Sequence, residues 1–103
     1  MEEEFETLDY YDGPLLIYFH NRNVIAIYTG DDPGWPMYCA HVTRINWMRY
    51  QTNQICLRTL FLSASYYSMI DLCEEPLVFR IIPKKNDSIL PKAGFYLDGK
   101  KSG

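Results

Sequence analysis

The chain has 103 residues, 48% of them hydrophobic, which is enough for one compact domain over residues 1–103 and too little for two. Ten lysines and arginines against thirteen aspartates and glutamates give a net charge of −3 at pH 7. This composition argues against direct nucleic-acid binding, which needs clustered cations, and no apolar run is long enough for a membrane span.

The charges are unevenly distributed along the sequence. Up to residue 40 the single cation is Arg22, set against eight acidic residues: Glu2, Glu3, Glu4, Glu6, Asp9, Asp12, Asp31 and Asp32. From Arg80 onward most charges are positive: Arg80, Lys84, Lys85, Lys92, Lys100 and Lys101. We interpret residues 1–9 as an acidic lead-in and residues 99–103 as a frayed tail.

The first predicted element is a β-hairpin that follows a turn. Asp12, Gly13 and Pro14 favour a turn through their special backbone preferences. Residues 14–20 are rich in β-formers and apolar on both faces, which predicts a central strand. A short polar connection then leads into residues 24–29, which repeat the pattern.

A loop and a helix are predicted next. Residues 30–36 contain two prolines and two glycines and cannot continue a sheet, whereas residues 37–42 predict a third strand. Thr43 is placed to cap a helix over residues 44–52, and Asn53 is a suitable stop. By spacing, Ile45, Met48 and Arg49 are expected on the inner side of this helix.

The remaining chain is predicted to form a helix followed by further strands. Residues 55–65 fit a helix or a strand, and the longer helical periodicity favours the helix. Residues 66–73 and 77–82 predict two strands, and residues 89–98 a weak edge strand. The expected fold is α+β: a small antiparallel sheet of about five strands with one or two short helices on one face. An SH3-like, partly open β-barrel is the alternative.

The opening Tyr11-Asp12-Gly13-Pro14-Leu15-Leu16, its hairpin continuation to Tyr28, and Leu57-Arg58-Thr59-Leu60-Phe61 resemble a group of small uncharacterised bacterial and phage domains. That resemblance covers the first two thirds of the chain. It implies a similar fold and a bacterial or phage origin, and it has no established activity to transfer.

Three cysteines, an odd number, and the lack of a secretory signal pattern indicate a reducing, cytoplasmic location. We interpret Cys39, Cys56 and Cys73 as small core residues. Cys39 and His41 form a single close pair, which is insufficient for a zinc site. They could form a catalytic pair with an orienting aspartate, but an apolar strand would not activate the thiol.

Adjacent Asp31 and Asp32 could hold a cation, but no third carboxylate follows at ligand spacing. No other motif in the sequence predicts a metal or cofactor.

Aromatic residues, 16% of the chain, are the unusual feature of the composition. Several occupy predicted turns, helix positions or strand edges, where rings with polar tips suit protein interfaces. Together with the acidic residues they give the predicted partner-binding set: Glu2, Glu3, Glu4, Glu6, Tyr10, Asp31, Asp32, Trp35, Trp47 and Tyr50.

The sequence therefore favours a non-enzymatic protein-binding module, such as a bacterial or phage inhibitor of a defence or nucleic-acid-handling enzyme, with the acidic stretch steering association. The alternative is a small-ligand-binding domain with an aromatic pocket in which His20 or His41 orients a polar group. An enzyme ranks third. An exposed edge strand or aromatic patch would also allow a homodimer.

Overall fold

All strands in the described part of the chain lie in one antiparallel sheet. The structure, a computed structural model, describes residues 4–10, 13–30 and 34–82. Its elements are β1 (Glu6–Tyr10), β2 (Pro14–Phe19), β3 (Val24–Tyr28), β4 (Pro36–His41), α1 (Arg44–Gln51), α2 (Leu57–Leu62), β5 (Tyr66–Asp71) and β6 (Arg80–Ile82). The strand order is β1-β2-β3-β4-β5-β6, and both helices lie in the connection from β4 to β5. The α+β class is as predicted.

The predicted hairpin forms the centre of this sheet. β2 pairs with β3 from Leu16 opposite Ile27 to Phe19 opposite Val24, and the turn closes through Asn23 at a φ of 55°. Alternate residues point to opposite faces, and both faces of the hairpin are buried. This confirms the prediction of a strand pair with two apolar faces.

The two faces of the sheet are covered differently. Both helices cover one face, which we call the helix face, where Trp47, Leu60 and Phe61 pack on the strands. The other face carries a second cluster of buried side chains: Ile17, Phe19, Val24, Ala26, Met37, Cys39 and Ile70. Leu72, Leu77 and Phe79, from the segment between β5 and β6, pack on this second cluster. Tyr28 and Trp35 also pack on it.

The lead-in predicted for residues 1–9 is wrong for Glu6 and the residues after it, which form β1. Glu6 lies opposite Tyr18 and Tyr10 opposite Pro14, with a bulge between them. Leu8 packs against the helix-face core, and the Phe5 ring lies 5.5 Å from Phe19 on the other face. Phe5 and Leu8 give this acidic segment an apolar contact on each face of the sheet, which favours its addition as a strand. The described sheet therefore has six strands where about five were expected, and it does not support the barrel alternative.

Both predicted helices are present, but the inner side assigned to α1 is wrong. Ile45 and Met48 are 65% and 52% exposed, whereas Trp47 is 5% exposed and faces the sheet. The region that fitted a helix or a strand contains α2, so the helical periodicity predicted it correctly.

The core role predicted for the cysteines holds for Cys39 only, because Cys56 and Cys73 are exposed. Cys56 precedes α2 and caps it, and Cys73 follows β5, so neither lies within a buried strand. The last described strand, β6, is shorter than predicted. The predicted edge strand over residues 89–98 and the tail over residues 99–103 lie outside the described residues.

Candidate functional site

Local interactions fix both ends of α1. The Thr43 hydroxyl accepts a hydrogen bond from the Asn46 N–H at 3.1 Å, as predicted for the N-cap. At the other end the Thr52 N–H donates to the Met48 carbonyl at 3.0 Å, and Asn53 follows with a φ of 64°. This left-handed residue ends the helix where the sequence predicted a stop.

The inner face of α1 is held to the sheet by aromatic stacking. The Trp47 ring lies parallel to the Tyr18 ring, with centroids 3.6 Å apart, and Tyr50 packs on Trp47 at 5.7 Å. The Tyr18 hydroxyl donates to the Asn23 side chain at 2.9 Å. Burial raises the pKa of Tyr18 to about 12, against the opposing effect of the Arg44 charge. The phenol therefore stays neutral, and the stack locks the orientation of the helix.

The outer face of α1 is apolar at its centre and positive at its margins. Ile45, Met48 and Arg49 share this face at spacings of three and four residues, and Arg44 adjoins it. All four side chains are exposed, and Leu62 of α2 is an exposed apolar side chain of the same helical layer. We call Arg44, Ile45, Met48 and Arg49 the α1 face. It is the candidate interaction site.

A hydrogen-bonded histidine and glutamate pair lies beside the inner face of α1. Glu6 Oε1 and His20 Nε2 are 2.7 Å apart, and both side chains are about half exposed. The His20 ring meets the Tyr18 ring edge-on at 4.9 Å and lies 6.2 Å from Trp47. The pairing of β1 with β2 and the position of α1 thus bring three predicted partner residues, Glu6, Trp47 and Tyr50, to one end of the sheet. Of these, Trp47 is buried, so its expected exposure is wrong.

Trp35, in the segment predicted as a loop, lies at the opposite end of the sheet and is tied to its surroundings. The indole Nε1–H donates to the Pro14 carbonyl at 2.6 Å, and the backbone N–H donates to Asp71 Oδ1 at 2.9 Å. The ring stacks on Tyr28 at 4.0 Å and covers Gly13 so closely that a Cβ there would lie 2.5 Å from it. Trp35 is therefore half buried and anchors the loop.

The other predicted partner residues occupy separate places. Tyr10, at the end of β1, is 68% exposed, and Glu4 is exposed just before that strand. Glu2, Glu3, Asp31 and Asp32 lie outside the described residues. Their predicted role in binding stays a prediction.

The pair considered for catalysis lies on the face of the sheet away from the helices. His41 Nε2 is 2.7 Å from Ser68 Oγ, and the His41 ring stacks on Tyr66 at 4.0 Å. Burial raises the pKa of Cys39 to about 12, and the pKa of His41 is lowered by burial and by Arg22. A buried neutral thiol has no route to a substrate, which removes the support for Cys39 as a nucleophile.

A metal site and a membrane span can be judged over residues 4–10, 13–30 and 34–82. Within these ranges no three His, Cys, Asp or Glu side chains come close enough together to hold a metal ion. Nor do they include a helix with the length and apolar character needed to cross a bilayer.

Comparison with known proteins gives no family for the chain: no family model, curated protein or solved structure matches it significantly. The resemblance to small bacterial and phage domains stays a prediction.

Sequence reasoning missed the α1 face. Ile45 and Met48 are three residues apart, as are Trp47 and Tyr50, so spacing alone offers two apolar sides for one short helix. A usable signal lay in side-chain size, because tryptophan and tyrosine bury more apolar area against a sheet than isoleucine and methionine do. The two flanking arginines were a second signal.

Proposed function

We propose that this chain is a non-enzymatic protein-binding module whose contact surface centres on the α1 face. The observation that carries the proposal is the exposure of Ile45 and Met48 on a helix fixed to the sheet by Trp47. Single exposed aliphatic side chains are ordinary, but two on adjacent turns of a rigid helix form a patch that a partner can cover.

Rigidity supports this use of the helix. The caps at both ends and the Trp47–Tyr18 stack leave little backbone freedom to lose on binding. A partner then contacts a surface that already has its bound shape, which reduces the entropic cost of association. Tyr50 and Glu6, both predicted partner residues, lie at the inner side of α1, away from the α1 face, and their role in binding stays a prediction.

The acidic residues predicted to steer association belong to the same proposal. Glu4 and Glu6 are exposed, and long-range attraction to a basic region that the partner carries outside its contact with the α1 face would raise the association rate without requiring direct contact. The inhibitor role predicted from the sequence stays a prediction.

A double substitution tests the proposal. Ile45→Ser with Met48→Ser removes the apolar centre, and Ile81→Ser is a matched control because Ile81 is also an exposed isoleucine, at 67%. Burying each side chain contributes ~1.5–3 kcal/mol, so we expect the double variant to weaken partner binding by about tenfold or more.

The measurement is quantitative affinity purification from native lysate, followed by titration of the recovered partner with each purified variant. Circular dichroism and thermal unfolding establish that the variants fold. The proposal is contradicted if the double variant binds the partner as tightly as the parent chain, or if Ile81→Ser causes the same loss.

A further inference from the structure

The segment that contains both helices has no carboxylate. Between Asp32 and Asp71 the sequence includes neither aspartate nor glutamate, although the whole chain is net negative. The charges within this segment are three arginines: Arg44, Arg49 and Arg58. The helical layer is therefore a locally positive region of an acidic protein.

Two of these arginines have no carboxylate partner among the described residues. Arg80, in contrast, makes two hydrogen bonds of 2.9 Å to Glu74. Arg44 and Arg49 form no ion pair within residues 4–10, 13–30 and 34–82. They are available to an acidic group from outside the described chain.

Arg44 and Arg49 flank the apolar centre of the α1 face in the sequence. Arg44 immediately precedes Ile45, and Arg49 immediately follows Met48. At a rise of ~1.5 Å per residue, the two arginines lie about 7.5 Å apart along the helix axis, one on each side of the aliphatic pair. A complementary surface would have carboxylates separated by one to two helical turns and aliphatic side chains between them.

We propose that the α1 face binds an acidic amphipathic segment of a partner protein, whose carboxylates pair with Arg44 and Arg49 and whose aliphatic side chains cover Ile45 and Met48. This inference rests on the proposed function and names the chemistry of the partner. Guanidinium groups suit the role because they form two parallel hydrogen bonds with a carboxylate.

The same surface is poorly suited to nucleic acid. Its centre is aliphatic, the largest ring of the helix, Trp47, is buried beneath it, and only two arginines flank it. Binding of nucleic acid relies on many cations along the backbone and on exposed rings for stacking. An acidic protein segment uses both the charges and the apolar centre.

A peptide-display selection against the full chain tests the inference. We expect enriched peptides to place Asp or Glu on both sides of Leu, Ile or Met. Arg44→Gln with Arg49→Gln should weaken binding of the best synthetic peptide by about tenfold, measured by fluorescence anisotropy, and added salt should weaken it for the parent chain. Lys100→Gln with Lys101→Gln changes the net charge equally and is the matched control; a loss of the same size in it would assign the effect to net charge and overturn the pairing with Arg44 and Arg49.

The outcomes separate this inference from the proposed function. Enriched peptides that are basic or neutral, and whose binding requires Ile45 and Met48 but not the arginines, would overturn the acidic partner and retain the binding module. If no selected peptide depends on Ile45 and Met48, both proposals fail.

Two further measurements cover the other occupants of the face. Binding of a twenty-nucleotide RNA or DNA that is lost in the arginine variant would assign the face to nucleic acid. Self-association that is lost in the Ile45→Ser, Met48→Ser variant would assign it to a second copy. Either result overturns the inference.

Discussion

The two ends of the sheet differ in how many of their polar and apolar groups have partners within the described residues. At the Trp35 end the indole, the backbone N–H and the backbone carbonyl of Trp35 each have a hydrogen-bond partner. At the α1 end the inner side of the helix is equally well packed. Its outer side leaves Ile45 and Met48 exposed and Arg44 without an ion pair to a described residue.

This difference shows what an aromatic residue in a turn or helix indicates. Trp35 and Trp47 are both predicted partner residues, and in the structure both hold a local element in place. Their rings have large apolar areas that a small domain can use for its own core. The side chains left for a partner are the smaller aliphatic ones that these rings displace to the outside.

The largest effect is expected where the α1 end is packed. Trp47→Ala should lower the free energy of unfolding by about 3–5 kcal/mol, because it removes a buried ring that stacks on Tyr18. Urea denaturation followed by circular dichroism measures this. Ile45→Ala and Met48→Ala are the controls on the outer side of the same helix and should change stability by no more than about 0.5 kcal/mol. Equal losses on the two sides would contradict the assignment of inner and outer faces.

At the Trp35 end, Gly13→Ala is expected to lower the free energy of unfolding by a smaller amount. A Cβ at Gly13 would lie 2.5 Å from the Trp35 ring, and the φ of 150° disfavours other residues. Overpacking of this kind costs about 1–3 kcal/mol. Because the clash is with the ring, Gly13→Ala should cost less when Trp35 is already replaced by leucine, and a double-mutant cycle by denaturation measures the difference. Additive losses would show that the ring is not the cause.

The same contact explains which parts of the fold were predictable. The hairpin, the strands that became β4 and β5, both helices and the Thr43 cap follow from patterns within a few residues, and these predictions hold. The Gly13–Trp35 contact joins residues far apart in the sequence. The sequence therefore predicted the turn at Gly13 but not the Trp35 ring that requires a glycine there. β1 was missed because its acidic composition outweighed the two apolar side chains Phe5 and Leu8.

The candidate site was less predictable than the fold. Which side of a short helix faces the core depends on the sheet beneath it, and Trp47 faces inward because Tyr18 offers a parallel ring. Ile45 and Met48 satisfy the same periodicity as Trp47 and Tyr50, so sequence spacing cannot choose between them. The choice depends on tertiary packing, which a local pattern does not contain.

The hydrogen bonds of the Asp71 carboxylate at the Trp35 end predict that stability depends on pH in the acid range. The Trp35 and Cys73 N–H groups donate to Asp71, and these bonds lower the pKa of its carboxyl. A lowered pKa in the folded state stabilises the protein above the ordinary pKa of about 3.9, and that stability is lost as the pH falls through the folded value. The free energy of unfolding should therefore fall below about pH 4, and less steeply in Asp71→Asn. Glu75→Gln is the control, because it removes an exposed carboxylate close to Asp71 in the sequence. Identical acid profiles for the parent chain and Asp71→Asn would exclude this role.

The smallest effect concerns the exposed Cys56 thiol at the start of α2. Its sulfur lies 3.3 Å from the Thr59 hydroxyl and 3.5 Å from the Thr59 N–H, contacts that lower the pKa of Cys56 by favouring the thiolate. Cys56 should therefore react with iodoacetamide at neutral pH faster than exposed Cys73, while buried Cys39 should react only after unfolding. Mass spectrometry of the alkylated peptides gives the three rates. Thr59→Val removes the hydroxyl contact, keeps the N–H and should slow Cys56 alone; an unchanged rate would mean that exposure, rather than the helix cap, controls the thiol.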